Sequence, residues 1–241
     1  MKKLVIISFA ILFLFPKLSK AQNDGAAVAA VAGGLLAIGA GVAAVEQMKE
    51  QAELTATEWF LTHHPEYSRF QLKTLDFNGK KLKDMSATSV ITFKIREFDI
   101  MENEPVLGTR LVLFGFTSFG WINEYGIDFD KVKWFLIDSD EWMNMMTAYT
   151  KVASGEKNEQ LIRNTLKSGK VVNRGVKSKE EEDIDFYKID GDMYLVGDYS
   201  PEMKFIYNER SLGIYLNETM NLIQIGRGDL IKIHEFFFDE D

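Results

Sequence analysis

Residues 26 to 45 are twenty consecutive alanine, glycine, valine, leucine and isoleucine residues, without one charge, hydroxyl or amide. A stretch of this length and composition constrains the chain more than any other feature. As an α-helix it measures about 30 Å at 1.5 Å per residue, close to the thickness of a bilayer's hydrocarbon core. Leu35, Leu36, Ile38 and the valines carry most of its hydrophobicity, because alanine and glycine gain little from leaving water. Small residues recur in steps of four at Gly25, Ala29, Gly33 and Ala37, with a second row at Ala26, Ala30 and Gly34 and further glycines at Gly39 and Gly41. Steps of four place them along one helix face and allow a second helix to approach closely.

This stretch resembles the glycine-zipper segments of bacterial envelope proteins, and the resemblance implies close helix packing through Gly25, Ala29, Gly33, Gly34, Ala37, Gly39 and Gly41. Three environments are compatible with it. One is a transmembrane or membrane-inserted helix packed on copies of itself or on partner helices; another is a helix buried in a soluble assembly. The third is a flexible leader, since each glycine costs up to about 1 kcal/mol in a helix interior. Beyond residue 45 the helical spacing continues through Met48, Ala52, Ala56, Trp59, Phe60 and His63, while Glu46, Lys49, Glu50, Glu53 and Glu58 take other faces. The pattern predicts one helix over about 25–63, stopped by Pro65, which pushes the residue before it out of the α region.

Ahead of this helix stand Lys2 and Lys3, an apolar run from Leu4 to Phe15, and Ser19-Lys20-Ala21 with small residues at both cleavage-site positions. Residues 1–21 therefore read as a signal peptide cleaved after Ala21. The alternative is an uncleaved anchor, for which the apolar run is short. The lysine-rich start fits a bacterial signal and predicts export to the periplasm, or to the outer membrane or cell surface, of a Gram-negative bacterium. Cleavage would remove four lysines and no acid, taking the formal net charge from −8 to −12. Phosphate backbones would be repelled over most of such a surface, so nucleic acid is excluded as a partner. With no cysteine, disulfides, thiolate catalysis and a lipidated N-terminal cysteine are excluded as well.

The remainder predicts an α+β fold, divided into the helix at 22–64, an α+β region at 65–169 and an antiparallel β-meander at 170–241. The meander belongs either to the same domain or to a second one. Strands are expected over 69–77, with a bulge near Lys73 or Thr74 and a hairpin turn at Asn78-Gly79, and over 88–100 and 107–116. The run Leu111 to Phe116 is apolar on both parities and predicts a central strand. After an aromatic, glycine-rich loop at 119–130 and a strand at 131–137, Asp138 is placed to cap a helix carrying Trp142, Met145, Met146 and Tyr149 up to Ser154-Gly155. A short helix is expected over 157–167. Strands follow at 184–189, 192–197, 203–207, 211–216, 220–225 and 230–238, separated by turn residues.

Chemistry-bearing patterns are sparse. His63-His64-Pro65-Glu66 has metal-ligand types, but adjacent helical residues point about 100° apart, which favours two histidines at a helix C-terminus. The acidic runs 180–183 and 239–241 lack the spacing of a calcium loop. Asp128, Asp130, Asp138, Asp140 and Glu141 could supply paired carboxylates of the kind glycosidases use. Arg227-Gly228-Asp229, an adhesion tripeptide in other settings, reads here as a turn. No catalytic or cofactor residue is assigned. The leading expectation is a non-enzymatic envelope subunit, associated with a membrane or homo-oligomeric through its Gly/Ala helix. The alternatives are a secreted, membrane-active pore-forming effector, and a periplasmic enzyme or ligand-binding module with a pocket lined by Trp121, Trp134 and Trp142.

Overall fold

A computed structural model describes residues 42–76, 89–101, 104–123 and 126–239. The fold is α+β, and every strand pairing in it is antiparallel. Helix α1 (Val42–His63) is followed by strands β1 (Phe70–Asp76), β2 (Val90–Met101), β3 (Glu104–Thr117), β4 (Ile122–Asn123), β5 (Gly126–Ile127) and β6 (Val132–Ile137). Strands β1, β2, β3 and β6 form the first sheet in that order, and β4 with β5 make a small hairpin. Then come α2 (Ser139–Ser154), α3 (Glu159–Ser168) and a three-stranded ribbon of β7 (Lys170–Val172), β8 (Gly175–Lys177) and β9 (Ile184–Asp185). A meander of β10 (Leu195–Asp198), β11 (Met203–Asn208), β12 (Ser211–Leu216) and β13 (Asn221–Gly226) leads into α4 (Arg227–Phe238).

Strand β3 is apolar on both parities because it serves two cores. Leu111 and Leu113 join Leu72, Ile91, Phe93 and Ile95 beneath Ala52, Ala56 and Phe60 of α1. Val112, Phe114 and Phe116 face the other way, in a cluster with Trp142, Met145 and Met146 of α2, Leu166 of α3 and Phe205, Ile214 and Ile225 of the meander. The meander thus shares its core with the first sheet. Burying each large apolar side chain contributes about 1.5–3 kcal/mol.

Local chemistry sets the ends of α2. The Asp138 carboxylate accepts the Glu141 N–H at 2.8 Å, and Gly155 closes the helix in the left-handed region at φ 73°. Helix α1 stops at His63, ahead of Pro65, as expected. The bulge in β1 lies between Thr74 and Asp76, beside the expected position, and it is clasped from α1. Glu53 accepts the Thr74 N–H at 2.9 Å and its hydroxyl at 2.7 Å. Burial pushes the Glu53 carboxyl up, but the two Thr74 bonds and the Lys73 charge outweigh it and leave it below the ordinary carboxylate value.

One element differs in kind from the sequence expectation. The segment 230–238, read as a sixth meander strand, is the body of α4. Leu230, Ile233, His234 and Phe237 are buried at helical spacing, while Lys232 and Glu235 face solvent. The β-branched and aromatic residues favour a strand locally, and packing against β7, β1 and β3 overrides that preference. The strand expected over 184–189 is reduced to Ile184–Asp185 and pairs with β8 in the ribbon instead of joining the meander, and the one expected over 192–197 begins only at Leu195.

Candidate functional site

The seven residues expected to pack helices together, Gly25, Ala29, Gly33, Gly34, Ala37, Gly39 and Gly41, lie outside the described residues, as does the Asn78-Gly79 turn. Among the described residues no helix is long and apolar enough to cross a membrane. The direction of α1 across the first sheet is set by two contacts. Glu53 sits on Thr74 near one end of β1, and the Phe60 ring meets Phe70 at 4.8 Å at the other. Helix α1 therefore starts at the Asp76 end of the sheet and finishes at the Phe70 end.

At that second end β2 and β3 leave the sheet as a two-stranded arm. The last β1 partner in β2 is Glu97, and β6 pairs with β3 only from Val112 onward. A bulge marks the departure: the register shifts between Arg96 and Phe98, and Glu97 turns its carboxylate to the Thr109 hydroxyl at 2.8 Å. Gly108 lies against the Glu97 side chain, where an added Cβ would approach its Oε2 to 3.1 Å. Within the arm Phe98 pairs with Leu107 and Ile100 with Pro105. Cross-strand partners share a face and successive residues alternate, so these four line one side. Ile100 and Leu107 are 58 % and 51 % exposed, and Met101 and Val106 on the reverse are 61 % and 49 % exposed. The Arg69–Asp99 ion pair fastens the arm's base to the segment that follows α1. The strand expected over 88–100 already covers most of the arm's first strand, whereas the one expected over 107–116 omits Glu104 to Val106, and only the point where β1 and β6 stop pairing shows that these residues stand clear of the sheet.

The other residues singled out in the sequence divide among structural tasks. His63 donates from Nδ1 to the Trp59 carbonyl at 2.8 Å and stacks on the Trp59 ring at 4.4 Å. His64 lies 3.2 Å from the Glu66 carboxylate. Asp138 caps α2, Glu141 accepts the Tyr199 hydroxyl, and Asp128 lies 3.6 Å from Lys131. The three tryptophans do not line one pocket, which corrects that reading. Trp121 and Trp134 belong to the core under α1, whereas Trp142 lies in the core on the sheet's other face. The tripeptide at 227–229 is the first turn of α4 and not a strand-to-strand turn.

Arg227 is the functional-type residue that the sequence did not flag. Its side chain is only 5 % exposed, and its guanidinium carbon stands 4.9 Å from the Phe186 ring centroid, 5.5 Å from that of Tyr149 and 5.7 Å from that of Tyr207. Nη1 donates to the Asn173 carbonyl at 2.6 Å, while Nε and Nη2 have no hydrogen-bond partner. Burial raises the Tyr149 phenol well above its ordinary value against the pull of this guanidinium, although the Tyr149 hydroxyl makes no hydrogen bond of normal geometry with it. The sequence offers no sign of this cage, because its rings come from α2, the segment after β9, and β11.

Compared with protein-family models, curated proteins and solved structures, the chain matches none.

Proposed function

We propose that the protein is a non-enzymatic, exported envelope subunit, held through its N-terminal Gly/Ala segment and self-associating through the β2–β3 arm. The observation that carries this reading is the arm itself. A two-stranded ribbon is marginal in water unless a face is covered, and this one carries Phe98, Ile100, Pro105 and Leu107 on one side. A second copy is the occupant because an arm of this kind offers a matching apolar face and unpaired strand edges to its own equivalent, the requirement for an isologous contact. The geometry of α1 supports a division of labour. Helix α1 runs from the Asp76 end of the sheet to the Phe70 end, and the arm leaves from the Phe70 end.

Expression of the full chain in a Gram-negative host, followed by carbonate extraction and sedimentation velocity in detergent, tests this reading. The wild type is expected in the membrane fraction and above monomer mass. The double variant Ile100→Asp/Leu107→Asp is expected to stay membrane-bound with an unchanged melting temperature while its mass falls. A mature chain found entirely in the soluble fraction as a monomer would overturn the proposal.

A further inference from the structure

We infer that two copies associate with their arms antiparallel, the tip of each seated on the basic face at the base of the other's arm. This orientation rests on the arm-mediated self-association proposed above and gives it a direction. A cavity of about 290 Å³ opens at the arm's base, walled by Lys73 of β1, Lys94 and Arg96 of β2 and Arg110 of β3, with Glu235 and Asp239 on the side of α4. Leu107, from the arm's apolar side, lines the same cavity, so the apolar and basic surfaces are continuous.

Charge is segregated along this side of the molecule. Lys73 stands opposite Lys94, and Arg96 opposite Arg110. Like charges directly across a ladder are destabilising, yet two such pairs adjoin in a chain whose net charge is −8. Glu235 and Asp239 offset only half of the four cations. Lys73 also lies 3.4 Å from Glu53, and Arg110 is held by the last carbonyls of α4, whereas Lys94 is exposed and pairs with no carboxylate among the described residues. Beyond the base the balance reverses. From Phe98 to Gly108 the sequence carries Asp99, Glu102 and Glu104 and no lysine or arginine. Asp99 is taken by Arg69, which leaves the two glutamates at the tip, where Glu104 is exposed opposite Met101.

A two-fold contact can align the arms in two ways. An axis running along the arm sets tip beside tip and base beside base, so acids meet acids and cations meet cations. An axis crossing the arm sets each tip on the other's base, so the glutamates of each copy meet Lys94 of the other while the apolar faces around Ile100 and Leu107 cover their equivalents. Strand addition along β2 does not compete with this seating. The Phe98 N–H is already accepted by the Arg69 carbonyl at 3.1 Å and the Ile100 N–H by the Asp99 carboxylate at 2.8 Å.

Sedimentation velocity of the full chain in detergent at low ionic strength tests the orientation with two variants, Lys94→Glu and Glu102→Lys/Glu104→Lys, each checked for wild-type circular dichroism. Either variant alone places like charges in both tip contacts, and its self-association should weaken about tenfold. An equimolar mixture of the two makes both contacts attractive again and should recover the wild-type mass, which a merely structural effect of either variant does not produce. Undiminished association of either variant alone, or no recovery in the mixture, would overturn the antiparallel seating, while loss of association in Ile100→Asp/Leu107→Asp would keep the arm as the interface. A wild type that sediments as a monomer removes the arm reading and the orientation together.

Discussion

The indole of Trp142 donates from Nε1 to Nδ1 of His234 at 3.3 Å, which leaves the proton of the neutral imidazole on Nε2, 2.9 Å from the Leu166 carbonyl. One ring thereby ties α4 to α2 and α3 with both nitrogens satisfied, and protonating Nδ1 would set a second donor against the indole.

Burial pushes the His234 imidazole down to about 4, against the Leu166 bond and the Asp239 charge that pull it up. An unfolded histidine titrates near 6.5, so between these two values the unfolded chain binds the extra proton and the native state does not. Stability from this residue is fully present above pH 6.5 and declines as the pH falls toward 4, by about 3 kcal/mol in total. Urea unfolding of wild type and His234→Gln, compared at pH 7, 5.5 and 4, isolates the effect from the carboxylates common to both. The difference between the two proteins should shift by that amount against the wild type. A constant difference would remove His234 from the account.

Arg110 caps the far end of the same helix. Its Nη1 lies 2.9 Å from the Phe236 carbonyl, 3.2 Å from that of Phe237 and 2.8 Å from that of Asp239. A charged donor on the last carbonyls of a helix adds to the favourable interaction with the dipole. Arg110→Met keeps the aliphatic stem and loses the charge, and should cost about 2 kcal/mol. Denaturant unfolding would show a lower midpoint at unchanged m-value, with faster amide exchange in the last turn of α4.

Gly155 combines a left-handed backbone with a crowded neighbour. Its φ is 73°, and a Cβ there would overlap the Tyr187 hydroxyl. Gly155→Ala should destabilise the protein by about 2 kcal/mol, part from the dihedral and part from displacing the phenol. A double-mutant cycle with Tyr187→Ala separates the two, because only the second part disappears in the Tyr187→Ala background. If the cost of Gly155→Ala is the same in both backgrounds, Tyr187 moves aside freely.

The parts legible in the sequence are those governed by neighbouring residues. Asp138 and Gly155 bracket α2 through a cap and a left-handed terminus, each readable within a few positions. Leu111 to Phe116 announces a central strand because both parities are apolar. Helix α4 departs from the sequence expectation for the opposite reason. Its Ile and Phe residues carry strand preference, and the helical spacing of Leu230, Ile233, His234 and Phe237 becomes decisive only with β7 and α2 packed against it. The candidate sites show the same contrast. The tryptophans 121, 134 and 142 look like one aromatic group until the sheet is seen to lie between them. The arm depends on where β1 and β6 stop pairing, and the Arg227 cage on rings brought together from three distant segments.

Strand β3 carries a consequence for how the chain avoids errors. Its alternate residues feed separate cores, so a slip of one position along β2 would send Leu111 and Leu113 to the α2 side and Val112, Phe114 and Phe116 to the α1 side. Two rings would be forced under a helix that meets the sheet through Ala52 and Ala56, while leucines took the places of phenylalanines opposite. Neither half could accept the exchange alone. The strand works as a proofreading element, making misregistered pairings costly on both sides at once and coupling the loss of either core to the loss of the other.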